Sequence, residues 1–400
     1  MLHPPNVNSS RTQSIVLAIS FLMATVVPAG EVTIHRDDWG VPHIYADLEE
    51  DGFFGLGYAL AEDRLERFLG SLLWATGKLA AVRGESALES DLEKRLWMHS
   101  QEAQQGLLRL SPQLSANYEA FVEGVKRYMD HQPDHVPEWA PDFDATTMVV
   151  LTRAVLMQGM VLPDALGEVR RGGAPLFTAQ ELVAQKEQGA SNGWVLAPWR
   201  TAAGATMVLA DPHVSINDGS YYEYRLTSGT LKSCGYSLGP LLWQAHNRHV
   251  AWALTTGAPD VADCYAVGID PNNPTTYQFN QQWHEMVTRQ VSIDVLGSEP
   301  VQFTLEYVRL NDVLSPVVGR DATSAYVICT PYMHDAGTLD EEIYRINLAR
   351  NVGEVRVAMK RLGMFPQTVL VGDSQGGMYY VRAGKTPKRP SGFDWSRPVS

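Results

Sequence analysis

One serine in this 400-residue chain stands where a nucleophile could act, at the edge of an apolar strand. Ser191 and Asn192 come directly before Gly193-Trp194-Val195-Leu196, and Asp211-Pro212-His213 follows about twenty residues later. A serine hydroxyl is a weak nucleophile until a base takes its proton, so chemistry here requires a base beside it. The alternative interpretation is a turn residue that leads into a strand.

Short motifs around this serine form a recognisable set. They are, in chain order, Ser191-Asn192-x-Trp194-Val195, Gly204, Asp211-Pro212-His213 and Asn247-x-x-Val250-Ala251-Trp252-Ala253-x-Thr255. The set resembles the start of the catalytic chain in the penicillin acylase and acyl-homoserine-lactone acylase family, which belongs to the N-terminal-nucleophile hydrolases. This resemblance implies that the precursor cuts itself between Ala190 and Ser191. The freed α-amino group, with a reference pKa of about 7.7 to 8.0, then acts as the base.

The resemblance also assigns roles to residues beyond the serine. His213 takes the position that lies against the amino group, and Thr256 takes that of a backbone N–H that stabilises the oxyanion. The second oxyanion donor of the family is an asparagine beyond the segment that resembles Val369 to Arg382. The acyl chain is expected to contact Leu162, Val214, Trp243 and Leu254, where burial contributes about 0.8 kcal/mol per methylene. The bulk of Trp243 is expected to favour short or medium chains.

A structural calcium site is implied by the penicillin acylase branch. Its ligands would be the carboxylates of Glu168, Asp260 and Asp263 and the carbonyl of Ala262, because calcium prefers hard oxygen ligands. The alternative is a set of solvated loop carboxylates. We expect no organic cofactor, and the sequence has no glycine loop of the nucleotide-binding type. It also has no C-x-x-C or H-E-x-x-H spacing of the kind that binds metals.

A second serine satisfies a different catalytic motif. Gly372-Asp373-Ser374-Gln375-Gly376 fits G-x-S-x-G, the nucleophile elbow, which requires a strand, a sharp turn and a helix. Here a strand pattern from Met378 to Val381 follows, and no histidine occurs after Ser374. We therefore predict a β-hairpin turn at Ser374, with a G-x-S-x-G serine hydrolase as the rival hypothesis.

Composition limits the partners and the compartment. A formal net charge of −13 and few basic runs argue against nucleic acid as a partner. The three cysteines, Cys234, Cys264 and Cys329, allow one disulfide with a spare thiol or three buried thiols. The apolar run from Ser14 to Val27 ends in Val27-Pro28-Ala29, which predicts a signal peptide over residues 1–29 and a periplasmic or secreted protein. A buried N-terminal helix is the alternative; a membrane partner is not expected.

Patterning on either side of Ser191 indicates an α+β protein. Residues 30–168 are predicted to be mainly helical and carry Gly55-x-Gly57-Tyr58-x-x-Ala61-x-Asp63-Arg64-Leu65, which also resembles the family. Residues 169–190 are predicted to be an excised spacer, and residues 191–400 to form strands of the catalytic chain. The resemblance implies the αββα sandwich of N-terminal-nucleophile hydrolases, incomplete at the C-terminus.

Together these features predict a secreted N-terminal-serine amidohydrolase that cleaves linear amides through an acyl-enzyme. The expected substrates are N-acyl-homoserine lactones or the side-chain amides of penicillins and cephalosporins, and the expected partners are the α and β chains of one precursor. The resemblance covers residues 31–400, about the first half of a family precursor. The alternative is a non-catalytic fragment that keeps a ligand pocket, since activity of this chain alone is doubtful without the second oxyanion donor.

Overall fold

The computed structural model describes residues 30–171, 190–214, 221–257, 259–361, 366–392, 394 and 396–399. The predicted signal peptide and residues 172–189 of the predicted spacer lie outside these described residues.

Helices dominate the part of the chain before Ser191. They are α1 (Glu49–Thr76), α2 (Ala80–Arg83), α3 (Leu88–Leu96), α4 (His99–Leu107), α5 (Pro112–His131), α6 (Ala145–Leu156) and α7 (Leu162–Arg171). Glycines let α1 and α5 approach each other closely: a Cβ added to Gly57 would lie 2.1 Å from the carbonyl oxygen of Phe121, and one added to Gly124 2.0 Å from that of Phe54. Gly57, in the motif that resembles the family, therefore allows the close packing of α1 on α5.

The helical run before the predicted spacer passes through Pro163. A π-helical turn (Met157–Val161) joins α6 to α7, which continues to Arg171. Pro163 stands inside this continuous helical run, directly after the π-helical turn, and cannot donate a backbone hydrogen bond there. The run Ala145–Arg171 is long and apolar enough to span a membrane by composition, but 67% of its most apolar window is buried inside the protein, as in a core helix.

Two strands precede α1, and the other strands of the described residues begin at or after Ala190. In chain order the strands are β1 (Thr33–Arg36), β2 (Pro42–Ala46), β3 (Ala190–Leu196), β4 (Met207–His213), β5 (Tyr222–Ser228), β6 (Leu231–Leu238), β7 (Leu241–His246), β8 (Val250–Thr256), β9 (Asp263–Asp270), β10 (Asn273–Phe279), β11 (Gln282–Glu285), β12 (Val287–Ile293), β13 (Val301–Leu310), β14 (Val313–Arg320), β15 (Ser324–Cys329), β16 (Gln367–Asp373) and β17 (Met378–Arg382). Two further helices, α8 (Thr338–Leu348) and α9 (Val352–Ala358), lie within residues 191–400, for which the sequence predicted strands.

An eight-stranded sheet forms the centre of the fold, in the order β1-β2-β5-β6-β7-β8-β16-β17. One of its faces packs on α1 and α8: Gly52 of α1 lies against Leu226 and Ser228, and Asn347 of α8 bonds Ser233 and the carbonyl of Leu242. Its other face carries the two-stranded sheet β3-β4, which packs on β8 and β16. The order helix, sheet, sheet agrees with the predicted α+β sandwich.

A seven-stranded sheet in the order β11-β10-β9-β15-β14-β13-β12 lies beside this centre. It has a small core of its own, and α7 packs on β9 and β15. The start of β9 thereby meets the end of α7, where the predicted calcium ligands lie. All three cysteines are free thiols, so the predicted alternative of one disulfide is wrong.

Candidate active site

Ser191 lies at the start of β3, in a ladder that fixes its neighbours. Antiparallel pairing places Ser191 opposite Pro212, Ala190 opposite His213 and Asn192 opposite Asp211. Side chains alternate between the two faces of a strand, so Ser191 and Pro212 share the face that turns toward the eight-stranded sheet. Ala190 and His213 form the last pair of this ladder, directly before the serine.

Close contacts fix how β3 lies over the central sheet. A Cβ added to Gly193 would lie 3.2 Å from the Cβ of Ala253 and 3.4 Å from Cγ2 of Thr255. A Cβ added to Gly372, which pairs with Ala251, would lie 3.1 Å from Cγ1 of Val195. Strand β3 therefore lies across β8 in the opposite direction, with the start of β3 over the end of β8. By this alignment Ser191 lies over the end of β8, at residues 255–257.

Thr256, the predicted oxyanion donor, is the last residue of β8 and pairs with Gln367 of β16. The next residue, Gly257, donates its N–H to the carbonyl of Pro366 at 3.2 Å and accepts a bond from Arg382 on its own carbonyl. A Cβ at Gly257 would lie 2.7 Å from the carbonyl carbon of Gln367, so this strand end is held tightly. The sequence and the structure thus bring Ser191 and Thr256 to the same end of the fold.

The His213 side chain lies on the opposite face of the hairpin from Ser191. Its Nε2 is 3.0 Å from Nδ2 of Asn192 and 3.2 Å from Oδ2 of Asp211, and Asn192 also donates to Asp211 at 3.0 Å. Hydrogen bonds from Asn192 and then from His213 lower the pKa of the Asp211 carboxyl. In the uncut chain the imidazole therefore contacts Asn192 and Asp211, and only the backbone of His213 lies beside the bond before Ser191.

Three of the four predicted acyl-contact residues share one apolar core. Leu162, Trp243 and Leu254 are buried in it, whereas Val214 is exposed at the end of β4. Leu254 alternates with Ala253 and Thr255, so it points away from β3 and toward the helices. An acyl group bound there would have to pass the end of β8 to reach Ser191. Met160 on the π-helical turn lies near this strand end, because its sulfur is 2.9 Å from Nε2 of Gln367, the partner of Thr256.

The predicted calcium ligands come together at the end of α7. Carboxylate oxygens of Glu168, Asp260 and Asp263 lie within 4.8 Å of one another, with the buried Ala262 between the two aspartates. Glu168 accepts the N–H of Cys264 at 2.8 Å. Burial, opposed by this hydrogen bond and assisted by the two aspartates, raises the pKa of Glu168 to about 7.

Arg389, which the sequence analysis did not single out, also enters this cluster. Its Nε and Nη2 both lie 2.8 Å from Oδ1 of Asp263, and Nη2 lies 3.0 Å from Oδ1 of Asp260. Calcium needs six to eight oxygen ligands, and here Oδ1 of Asp263 already accepts the Nε–H of a guanidinium and forms an ion pair with its Nη2. With the guanidinium in place the cluster does not fit calcium. Arg389 is 126 residues from Asp263 in the chain, so no local pattern signals this contact.

Ser374 occupies a β-hairpin turn between β16 and β17, as the sequence predicted. Its N–H donates to the carbonyl of His249 at 2.8 Å, and Gly376 adopts a positive φ of 90°. Asp373 accepts the N–H groups of Gln375 and Gly377, which closes the turn. A strand follows in place of the helix that a nucleophile elbow requires, so the structure opposes the rival serine hydrolase.

Comparison with known proteins gives consistent matches. The family model described as penicillin amidase matches residues 31–399. Acyl-homoserine lactone acylase QuiP of Pseudomonas fluorescens (strain Pf0-1) is 22% identical over 91% of this chain and 51% of its own length. Acyl-homoserine lactone acylase PvdQ of Pseudomonas putida is 26% identical over 85% of this chain and 48% of its own length. The chain thus spans about half the length of these curated relatives.

Among solved structures, a thermostable penicillin G acylase from Alcaligenes faecalis matches with a TM-score of 0.45 and 22% identity, over 52% of this chain and 38% of that one. The family model extends over nearly every described residue, from before β1 to the last described position. The chain belongs to the penicillin amidase family.

Proposed function

We propose that this chain carries the nucleophile and the acyl site of a self-processing serine amidohydrolase that cleaves small linear amides. Cleavage between Ala190 and Ser191 would give Ser191 a free α-amino group, which would take the hydroxyl proton as the serine attacks the amide carbonyl. The amine of the product would leave with that proton, and water would then release the acyl group. Relatives named acyl-homoserine lactone acylase support N-acyl-homoserine lactones as the first substrates to test.

The observation that carries this proposal is the position of Ser191 over the end of β8. The contacts of Gly193 and Gly372 align β3 so that the serine lies over residues 255–257, where the N–H of Thr256 would stabilise an oxyanion. The strand pairing of Ala190 with His213 suggests how cleavage would change the site. Removal of Ala190 would take away the strand partner of His213, which leaves His213 beside the new amino group.

The acyl group is proposed to bind at Leu162, Trp243 and Leu254, inside the apolar core that these side chains share. Because Trp243 is fully buried and bulky, we expect it to limit the length of the acyl chain. Trp243→Val should extend the preference by several methylenes, each contributing about 0.8 kcal/mol. A preference for long chains that is the same with Trp243 and with valine would remove this steric role.

Intact mass and N-terminal sequencing test the nucleophile. We expect a chain that starts at Ser191 when the protein is produced in its natural context, and a single uncut chain from Ser191→Ala. Ser374→Ala is the matched control, because Ser374 is also a serine at a strand end but in a hairpin turn. Normal processing and activity in Ser191→Ala, or loss of both in a folded Ser374→Ala protein, would overturn the assignment.

A further inference from the structure

The guanidinium of Arg389 is built into the carboxylate cluster from several directions. Besides its contacts to the two aspartate side chains, Nη1 and Nη2 both lie 3.2 Å from the main-chain carbonyl oxygen of Asp260. The Arg389 side chain is only 15% exposed, and that of Asp263 only 3%. An ion pair on the protein surface is more exposed and has fewer contacts than this one. The contact between Arg389 and the aspartates is therefore part of the packed interior of the site.

The segment that carries Arg389 is fixed at further points along its length. Val399 exchanges backbone hydrogen bonds with β9, donating to Cys264 at 2.9 Å and accepting from Ala266 at 2.8 Å. Arg171, at the end of α7, donates to the carbonyl of Ser396 at 2.6 Å. The segment therefore crosses the start of β9 and the end of α7, and Arg389 stands where these two meet.

The charges around the cluster decide which cation it can hold. Glu168, Asp260 and Asp263 bring up to three negative charges together, and burial makes each unpaired charge costly. Arg389 supplies one positive charge in direct contact, and Arg171 lies close enough to act on Glu168. A calcium ion bound to the same oxygens would lie beside the Arg389 guanidinium, and like charges at that distance repel strongly in a buried site. The two cations therefore exclude each other.

We propose that Arg389 is the resident counter-cation of Glu168, Asp260 and Asp263, in the place that the family resemblance gives to calcium. The guanidinium offsets part of their negative charge and fastens its segment to Asp260 and to Asp263 at the start of β9. Because Arg is always charged and binds carboxylates in a fixed geometry, this clamp needs no metal and is unaffected by chelators.

Calcium binding and thermal unfolding of the full chain test this inference. We expect wild-type protein to unfold at the same temperature in EDTA and in millimolar CaCl₂, and to show no saturable terbium luminescence sensitised by Tyr265, which lies beside Asp263. Arg389→Ala removes the competing cation. It should unfold at a lower temperature in EDTA, regain stability with calcium, and bind terbium at least about tenfold more tightly than wild type.

Arg397→Ala is the matched control, since it removes the same charge from the same segment at an exposed position. It should behave as wild type in both measurements. Arg389→Lys keeps the charge but loses the planar fork, so it should fall between wild type and Arg389→Ala in stability. One calcium ion per wild-type chain, with a lower unfolding temperature in EDTA, would overturn the proposal even if Arg389→Ala failed to fold.

Discussion

Adding one methyl group at Gly57 should separate α1 from α5. An ideal Cβ there lies 2.1 Å from the carbonyl oxygen of Phe121 and 3.2 Å from the backbone nitrogen of Val125. Both neighbours are backbone atoms, so no side chain can rotate away, and the helices must move apart by roughly 1 Å to restore contact distance. Overpacking of this kind costs about 1–3 kcal/mol and occasionally more.

The same substitution at Gly70 provides a control within the same helix. Gly70 also lies in α1, but a Cβ there meets no atom within 4 Å. Alanine is favoured over glycine in a helix interior by about 0.5–1 kcal/mol, because glycine loses more backbone freedom on folding. Gly70→Ala should therefore stabilise the protein while Gly57→Ala destabilises it.

Thermal unfolding followed by circular dichroism measures this difference. At about 2.1 cal/mol/K of unfolding entropy per residue, a chain of this size shifts its Tm by roughly 1.3 °C per kcal/mol, so Gly57→Ala should unfold roughly 1–4 °C below wild type. Gly70→Ala should unfold at or above the wild-type temperature. Shifts of the same sign in the two variants would refute the close approach of α1 and α5 as the reason for Gly57.

Three other outcomes follow from the structure. Burial raises the pKa of the Asp340 carboxyl from 3.8 to about 6, so ionisation of this group should lower the stability of the protein as pH rises from 3.8 through 6. Asp340→Asn should remove that part of the pH dependence of Tm. The same slope of Tm against pH in wild type and variant would contradict this expectation. Leu209→Lys, on the exposed face of the β3-β4 hairpin, should raise the soluble fraction after centrifugation without lowering Tm, and a lower Tm would show that this face is packed. Residues 31–400 produced alone should hydrolyse acyl amides about a hundred- to a thousandfold more slowly than a full-length relative, because the family resemblance assigns the second oxyanion donor to an asparagine outside these residues. Equal turnover would show that this chain supplies both donors.

The β3-β4 hairpin shows which structural features sequence patterns can predict. The sequence predicted an apolar strand at Ser191, where β3 is observed, and strict alternation then separates Ser191 and Gly193 from Trp194, which is 52% exposed. The turn at Ser374 was also predicted, because a strand pattern followed the serine. Such features depend on residues close together in the chain, where spacing determines direction.

Contacts between distant segments could not be predicted in this way. The approach of Arg389 to Asp263 depends on how the segment after β17 crosses β9, and no spacing in the sequence records that path. Helix α8 was missed for a related reason. Its Asp340-Glu341-Glu342 run resembles a solvated turn, but tertiary partners bury all three acids, including the Tyr118 hydroxyl, which donates to Asp340 at 2.8 Å.

The pairing of β2 with β5 has a consequence for assembly. These strands run parallel, with His43 opposite Arg225 and Ala46 opposite Ser228, so the chain before Ser191 contributes strands to the same sheet as the chain after it. A protein cut before Ser191 would remain one cooperative unit, because separation would require removing β2 from the sheet and exposing the α1 core. Once denatured, however, the two pieces would have to find each other by diffusion, without the high effective concentration that one chain provides. Refolding of the cut protein should therefore become second order in protein concentration, whereas the uncut precursor should refold at a rate independent of it.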